Sequence, residues 1–493
     1  MILIMLVTLY TSRVILAALG VDDYGIYTVV AGFVSLFTVI SGSLSTGISR
    51  FITFELGKES ENKCQEVFNT SVVVQIVLFI SILLIAETIG LWFINNKLNV
   101  SPASLTAVNW VYQLSLITFL FNLLSVPYNA TIIAHERMSA FAYISIIEVT
   151  LKLLIAFSIA HISSNRLIIY ALCLMLVSVA IRFLYAFYCN RHFEECKLTF
   201  SYNRGIFKQI LAFSGWNFFG AASASLRDQG VNVLFNLFFG SVVNAAKGVS
   251  EQVNNALNSL VQNFVVALNP QIIKSYAIND MDTVFSLAFR GARFSYYIMF
   301  IPSIAIILNI NPILSFWLKD VPDFTAIFIQ LLIIRVLIDN ISNTLITIML
   351  ASGKIKQYQI IVGGMQLMNF PLSYLALKLG APPQSAFYIA IVVAIMCFIL
   401  RLIMLKQIVP INIKSFFSNV MSRIFLVTML SCVILIPVKP FISDSTLGMF
   451  LYVTICLLIS TLLAFYLGCS QYERTKITNK VMQVLQSKLI LHK

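Results

Sequence analysis

The sequence predicts an all-α integral membrane protein of about fourteen transmembrane helices, and three observations predict it. Of 493 residues, 59% are hydrophobic and 11% charged, where soluble domains carry about 25% charged residues. The apolar residues fall in long runs rather than the alternating runs of about ten that mark outer-membrane barrels. The 33 Lys and Arg, against 20 Asp and Glu, gather on alternate loops, as they do on the cytoplasmic loops of multi-pass proteins. Mean hydropathy is +0.90. The basic excess therefore points to a membrane and not to nucleic acid.

About 20 apolar residues carry a helix across a bilayer. By that measure, spans 1–19, 26–55, 67–94, 107–133, 141–161 and 167–189 make an N-terminal six-helix bundle over residues 1–190. Spans 209–238, 247–272, 287–308, 325–351, 358–379 and 385–405 make a second bundle over 205–407. Spans 419–438 and 447–468 add two helices over 418–468, and 469–493 is a cytoplasmic tail. Pro127, Pro302, Pro371 and Pro437 fall inside spans, where neighbouring helices or water can satisfy the freed carbonyls. Met1 to Gly20 lacks the basic region and small-residue cleavage site of a signal peptide.

Orientation follows from loop charge. With the N-terminus inside, the inner loops hold Lys58, Lys63, Arg137, Arg191, Lys197, Lys354, Lys356 and Arg474 among others. The outer loops hold Lys97, Arg166, Lys247, Lys319, Lys378 and Lys439. Both termini are thus expected in the cytoplasm. Cys64, Cys189, Cys196 and Cys469 then face the reducing side, and the other four cysteines lie within spans, so no disulfide framework is implied.

The two bundles share a punctuation. "ALGVDDYGIYTVVAGF" from Ala18 and "FFGSVVNAAKGVSEQVNNAL" from Phe238 each have a helix ending in Gly, a short turn with a second Gly, and a long helix rich in small and polar residues. Gly20 matches Gly240, and Gly25 matches Gly248 after an insertion. Six spans separate the units, so both run the same way, which is the plan of two bundles related by a parallel pseudo-two-fold. Only 19 residues precede Gly20, so the first helix is expected to be short or the start late.

Several spans carry polar residues in helical register. Asp228, Asn232 and Asn236 are four apart, as are Arg335, Asp339 and Asn343, and Glu251, Asn255, Asn258 and Gln262 follow a 4-3-4 spacing. Each set lies on one helix face. Glu148 and Lys152 can pair at i,i+4. Interhelical glue and a hydrated cavity are both open readings of the charged pairs, and the amide-rich stripes point to the cavity. A carboxyl group in such a place, Glu148, Asp228, Glu251 or Asp339, holds protons tightly or binds Na⁺ with neighbouring amides, so these four are candidates for ion coupling. No cofactor is expected beyond a coupling ion, H⁺ or Na⁺.

Arg13, Arg50 and Arg227 have no acid three or four residues away on their own helices. They need carboxylates from other helices or an anionic ligand, and a guanidinium suits the paired oxygens of phosphate. For Arg50, near the inner end of its span, snorkelling to headgroups is the competing reading. For Arg182, Arg290, Arg293, Arg401 and Arg423 snorkelling is the better one.

The sequence has no GxxxxGK[ST] motif and no HExxH, and its histidines, His135, His161, His192 and His492, are scattered. No outer loop exceeds about fifteen residues, which argues against a polymerase or ligase that must hold an acceptor.

At "LYTSRVILAALGVDDYGIY", "STGISRFITFELGK", "VNAAKGVSEQVNNALNSLVQNF" and "VALNPQIIKSYA", the chain resembles polysaccharide flippases of the Wzx type, which handle O-antigen and capsule units. They belong to the multidrug/oligosaccharidyl-lipid/polysaccharide exporter superfamily. The resemblance covers roughly 1–410, with the last two spans as an extension. It implies a non-enzymatic flippase of the bacterial cytoplasmic (inner) membrane, moving undecaprenyl-diphosphate-linked oligosaccharide units from the inner to the outer leaflet. The implied partners are that lipid-linked oligosaccharide, membrane lipid and other polysaccharide assembly proteins. By position, Arg13, Arg50, Arg227 and Lys247 would hold the diphosphate. Asn232, Asn255, Asn258 and Gln262 would touch sugar hydroxyls. A cation-coupled drug exporter of the same fold is the first rival, and a membrane polymerase or ligase the second.

Overall fold

The structure is a computed structural model that describes residues 37–97, 105–159, 161–162, 165–199, 202–239, 241–318, 321–441, 445–476 and 478–479, with isolated positions between 7 and 34. Arg13, Gly20, Gly25, Gly240, Lys319 and most of the expected first span lie outside the described residues.

All regular structure among the described residues is helical. The helices are α1 Thr38–Gly57, α2 Glu61–Ile85, α3 Leu105–Ala134, α4 Met138–Ile159, α5 Arg166–His192, α6 Arg204–Phe239, α7 Ser241–Ala277 and α8 Met281–Leu308. They continue as α9 Ile310–Trp317, α10 Thr325–Ile341, α11 Asn343–Ser352, α12 Ile355–Lys378, α13 Ser385–Ile408, α14 Ile413–Phe441 and α15 Thr446–Gly468. Each expected span from the fourth to the fourteenth meets one helix or, for 325–351, the pair α10 and α11, which bend by 41° at Ser342; the third, 67–94, runs through α2 and on past Ile85. Nine helices among the described residues are long and apolar enough to cross a membrane, or ten with the bent pair as one span. The long helices α6 and α7, 36 and 37 residues, are not among the nine; these carry the polar stripes. The chain is thus a multi-pass membrane protein.

The chain sorts into two compact units. Unit 1 is Met1–Ala222, Asn269–Met281 and Leu350–Ile360; unit 2 is Ser223–Leu268, Asp282–Met349 and Ile361–Lys493. Helices α6 and α7 each contribute to both.

In unit 1, α3 packs along α5 and α1, and its apolar residues fill the core with Ile48, Ile52 and Phe68. Phe68 meets Tyr128 edge to face, 5.1 Å between centroids, the arrangement ring quadrupoles favour. Helix α2 runs into a π turn at Ala86–Gly90 before Leu91–Lys97. Such a turn breaks the regular ladder, and the Tyr112 hydroxyl donates to the Ala86 carbonyl at 2.8 Å. The turn after α3 places Glu136 at φ 59, and its carboxylate accepts from Lys274 at 2.9 Å and Gln271 at 3.1 Å. Burial would raise the Glu136 carboxyl, but those two donors hold it below its ordinary value. Glu195, in the turn Glu194–Cys196, is likewise held low against burial by His135.

In unit 2, α10 and α12 pack on α13, and Phe235, Phe328 and Phe387 cluster with centroids 4.6–6.0 Å apart. The start of the tail is tied down at Glu473. Arg293 on α8 donates to Glu473 at 2.6 Å and to the Asn419 carbonyl at 3.2 Å, and the second Glu473 oxygen accepts from the Ser470 backbone at 2.7 Å. Snorkelling is therefore wrong for Arg293, which is 5% exposed, and for Arg401, at 4%: a snorkelled head reaches water or headgroups, and these are enclosed. Arg182 lies over the Tyr128 ring at 4.2 Å, a cation–π contact.

Candidate functional site

Three helices of unit 2 bring six charged side chains into one network. On α10, Arg335 and Asp339 are one turn apart, and on α7 so are Lys247 and Glu251; each pair therefore shares a face. On α6, Arg227 and Asp228 are adjacent, a spacing at which side chains point about 100° apart. The long arginine closes that angle. Its Nε lies 3.0 Å from one Asp228 oxygen and a terminal nitrogen 3.1 Å from the other, the forked geometry that guanidinium and carboxylate prefer.

The pairs then join. Arg335 donates to Asp228 at 2.8 Å, so Asp228 serves two arginines. Asp339 lies 3.9 Å from Arg227 and 3.7 Å from Arg335. Lys247 meets Glu251 at 2.8 Å and donates to the Asp228 backbone carbonyl at 2.7 Å. Three cations face three carboxylates, so the network is formally neutral. Its exposure is lopsided: Arg227 and Arg335 are 10% exposed and Lys247 5%, against 36% for Asp228, 29% for Glu251 and 25% for Asp339. A ligand reaching the network meets carboxylate edges first. A cation or proton can bind there directly, and an anion must displace a carboxylate to reach the arginines.

The structure thus gathers six of the residues singled out in the sequence, Arg227, Lys247, Asp228, Glu251, Arg335 and Asp339. Arg227 meets a carboxylate from another helix, Asp339, one of the two partners the sequence reading allowed, and also the adjacent Asp228, which helical spacing rules pass over. The amides lie nearby on the same helices. Asn232 donates to Gln229 at 2.9 Å. Asn255 and Gln262 on α7 are exposed, and the Asn258 side-chain oxygen is buried without a hydrogen bond. The Asn236 side chain lies outside the described residues.

Glu148 stands apart from this network, in unit 1. It pairs with Lys152 at 2.6 Å on the exposed side of α4, the two side chains 34% and 41% exposed.

Arg50, also in unit 1, shows a partner the sequence reading did not consider. Its Nε and a terminal nitrogen donate to the carbonyls of Leu350 and Ala351 at 3.2 and 2.7 Å. These belong to the last turn of α11, where helix carbonyls have no intrahelical donor. Gly353 follows at φ +73, and its hydrogen faces Arg50, whose terminal nitrogen would lie 3.0 Å from a Cβ. The rings of Phe51 and Phe54 flank the guanidinium at 4.7 Å. Snorkelling is excluded for Arg50 too, since it is 9% exposed and held at a helix end. The Ser-Gly pair that stops α11 was the available signal. Arg13 lies outside the described residues. Among the described residues no group of three or more His, Cys, Asp or Glu is arranged to hold a metal ion.

Comparison with known proteins adds a family and a fold. The family described as "Polysaccharide biosynthesis protein" matches residues 1–275. None of the curated proteins compared with the chain matches it. Among solved structures, a MATE protein in complex with MaD3S aligns at TM-score 0.70 and 13% identity, covering 82% of this chain and 93% of its own. A multidrug resistance MATE family transporter of the MOP superfamily, in an outward-facing conformation, aligns at TM-score 0.70 and 12% identity, covering 83% and 93%. A MOP superfamily transporter from Pyrococcus furiosus, described as having a binding pocket of reverse polarity, aligns at TM-score 0.68 and 13% identity, covering 82% and 93%. At these identities the likeness is one of fold.

Proposed function

The chain belongs to the polysaccharide biosynthesis protein family, and from that premise we propose that it is a flippase carrying an undecaprenyl-diphosphate-linked oligosaccharide from the inner to the outer leaflet of the bacterial cytoplasmic membrane. It makes and breaks no bond. The observation that carries this reading is the network on α6, α7 and α10. Charged side chains inside apolar segments are expensive and mark pathways for ions or polar cargo. Here Arg227, Arg335 and Lys247 supply the donors a diphosphate needs, and the amides Asn232, Asn255, Asn258 and Gln262 supply neutral partners for sugar hydroxyls. Asp228, Glu251 and Asp339 couple a cation, H⁺ or Na⁺. Arg13 belongs to the same proposal, whereas Arg50 would have to leave the Leu350 and Ala351 carbonyls to join it.

The direct test uses purified protein in proteoliposomes with a fluorescent polyprenyl-diphosphate oligosaccharide. Label accessible to an external quencher should shift between leaflets, and Arg227→Gln should stop it with protein levels unchanged. An inert wild-type protein sinks the proposal. One observation favours a second reading, a cation-coupled drug exporter: the carboxylates are the exposed members of the network. Transport of a cationic dye in the same vesicles would select it.

The positive-inside pattern supports both termini in the cytoplasm. Membrane-impermeant thiol labelling from outside should modify Ser101→Cys, outside the described residues, and spare Glu59→Cys. The reverse would invert the topology.

A further inference from the structure

We infer that loading of a diphosphate at the α6–α7–α10 network is accompanied by proton uptake, because the anion takes the place of carboxylates that the network already holds. The inference rests on the proposed diphosphate reading and adds its stoichiometry.

The starting point is charge balance. Arg227, Arg335 and Lys247 are matched one for one by Asp228, Asp339 and Glu251, and every cation already has an acid within 4 Å. A diphosphate bridging a lipid and a sugar carries two negative charges. Added to a neutral network inside the membrane, it leaves an uncompensated charge of minus two, which a low-dielectric site does not tolerate. Losing a carboxylate from the chain is impossible, so the balance is restored by cations.

Geometry says where they go. Asp228 occupies the fork of Arg227 and one donor of Arg335 at once. A phosphate that takes Arg227 bidentately must take it from Asp228, whereas Arg335 gives Asp228 one donor and its Nε makes no hydrogen bond. The evicted carboxylate then stands without its hydrogen bonds, and that is the state in which a carboxyl group takes up a proton. Asp228 and Asp339 are 36% and 25% exposed, so neither is sealed from the proton it takes up. The other groups facing the network offer no substitute. Glu251 is held by Lys247; Cys397 on α13 faces Asp339 and Arg227, and Arg401 lies behind Cys397. A proton neutralises one carboxylate wherever it stands, whereas a metal cation needs several oxygens gathered round it.

The step is a simple exchange: the diphosphate enters as a dianion, Arg–carboxylate hydrogen bonds are replaced by Arg–phosphate hydrogen bonds, and the protons come from bulk water. Loaded and empty networks then carry nearly equal charge.

The test is calorimetry with the full-length protein in detergent, titrated with a short-chain polyprenyl-diphosphate N-acetylglucosamine. Titrations in two buffers of different ionisation heat count the protons. Between one and two protons should be taken up per diphosphate bound. Wild-type affinity should rise about tenfold per unit fall in pH for each proton taken up. Asp228→Asn should bind with about one proton fewer and a flatter pH dependence, and monodispersity on gel filtration checks its fold. Should that variant not fold, the wild-type count and pH slope decide alone. Binding with no proton uptake and no pH dependence overturns the inference and leaves the diphosphate site standing. Affinity that follows Na⁺ and not H⁺ also overturns it. No binding by wild type removes the diphosphate site itself, and this inference with it.

Discussion

Arg50 and Arg227 meet the same expense, a guanidinium within a membrane helix, and meet it in opposite ways. Arg50 is held by the carbonyls of Leu350 and Ala351 and by flanking rings. Its partners are dipoles, so its full charge stays. Arg227 is held by Asp228 and Asp339, so its charge is cancelled. Dipoles at a helix end cannot be titrated or carried away. Carboxylates can be protonated, and an anion can replace them. A charge fixed by backbone suits a structural joint, and a charge fixed by acids suits a site that must change partners.

The comparison can be broken at several points. The largest effect is expected at the network. Arg335→Gln strips Asp228 of a donor and Asp339 of a cation 3.7 Å away, and removing one partner of an enclosed charge pair costs about 2–5 kcal/mol. Flipping in proteoliposomes should fall by at least about tenfold, and restoring neutrality with Asp339→Asn in the same chain should recover folded yield. Recovery by charge balance would sharpen the contrast with Arg50; no response to either change would erase it.

Next comes Arg50 itself. Arg50→Gln removes both donations to α11 and should lower stability by about 2 kcal/mol, since each neutral or charge-assisted hydrogen bond contributes about 1–2 kcal/mol. Arg50→Lys keeps the charge but loses the fork and should recover only part. Thermal unfolding in detergent measures both. If Lys and Gln behave alike and flipping is lost in each without loss of stability, Arg50 is a ligand-binding residue and not a joint.

Gly353→Ala tests the other side of that joint. The residue sits at φ +73, where a side chain costs about 1–2 kcal/mol, and the new methyl would press on the movable tip of Arg50. A small loss of thermal stability with flipping retained is expected. An unchanged midpoint would mean that the turn relaxes freely.

The smallest effect belongs to the exposed pair Glu136–Lys274, roughly one-third exposed on each side. Its carboxyl is held below the ordinary value of 4.5, so its contribution is present above that pH and fades as pH falls through the lowered value. Glu136→Gln should cost about 0.2–1 kcal/mol near neutral pH, a difference that shrinks as pH falls through the lowered value. A pH-independent difference between the two proteins would assign the effect to packing.

Hydropathy made the helices legible because crossing a bilayer imposes a length and a composition on each segment separately, and most of the runs from 67 to 468 display both, the polar-striped α6 and α7 excepted. Helical spacing then paired Glu148 with Lys152 and set Asp339 one turn from Arg335, because those partners share a helix; the same i,i+4 spacing of Lys247 and Glu251 goes unread where Lys247 is placed on an outer loop. What stayed hidden depends on packing between helices. The Leu350 and Ala351 carbonyls that hold Arg50 are 300 and 301 residues away, and Glu473 is 180 residues from Arg293. Backbone carbonyls carry no signature in a sequence beyond the glycine that ends their helix. Arg227 with Asp228 was hidden for a different reason: a rule about neighbouring faces assumes short reach, and arginine is long.

The π turns carry a consequence for how this chain can vary in length. Besides Ala86–Gly90, they occur at Gln359–Gly363, Phe417–Met421 and Ala464–Gly468. Each holds one residue more than an α turn needs. A single-codon deletion there lets the turn tighten into ordinary helix and leaves the packed face beyond it in register. Elsewhere in the same helices a deletion turns that face away by about 100°, with no slack to absorb it. Homologous chains that differ by one residue within a helix should therefore differ at these four places.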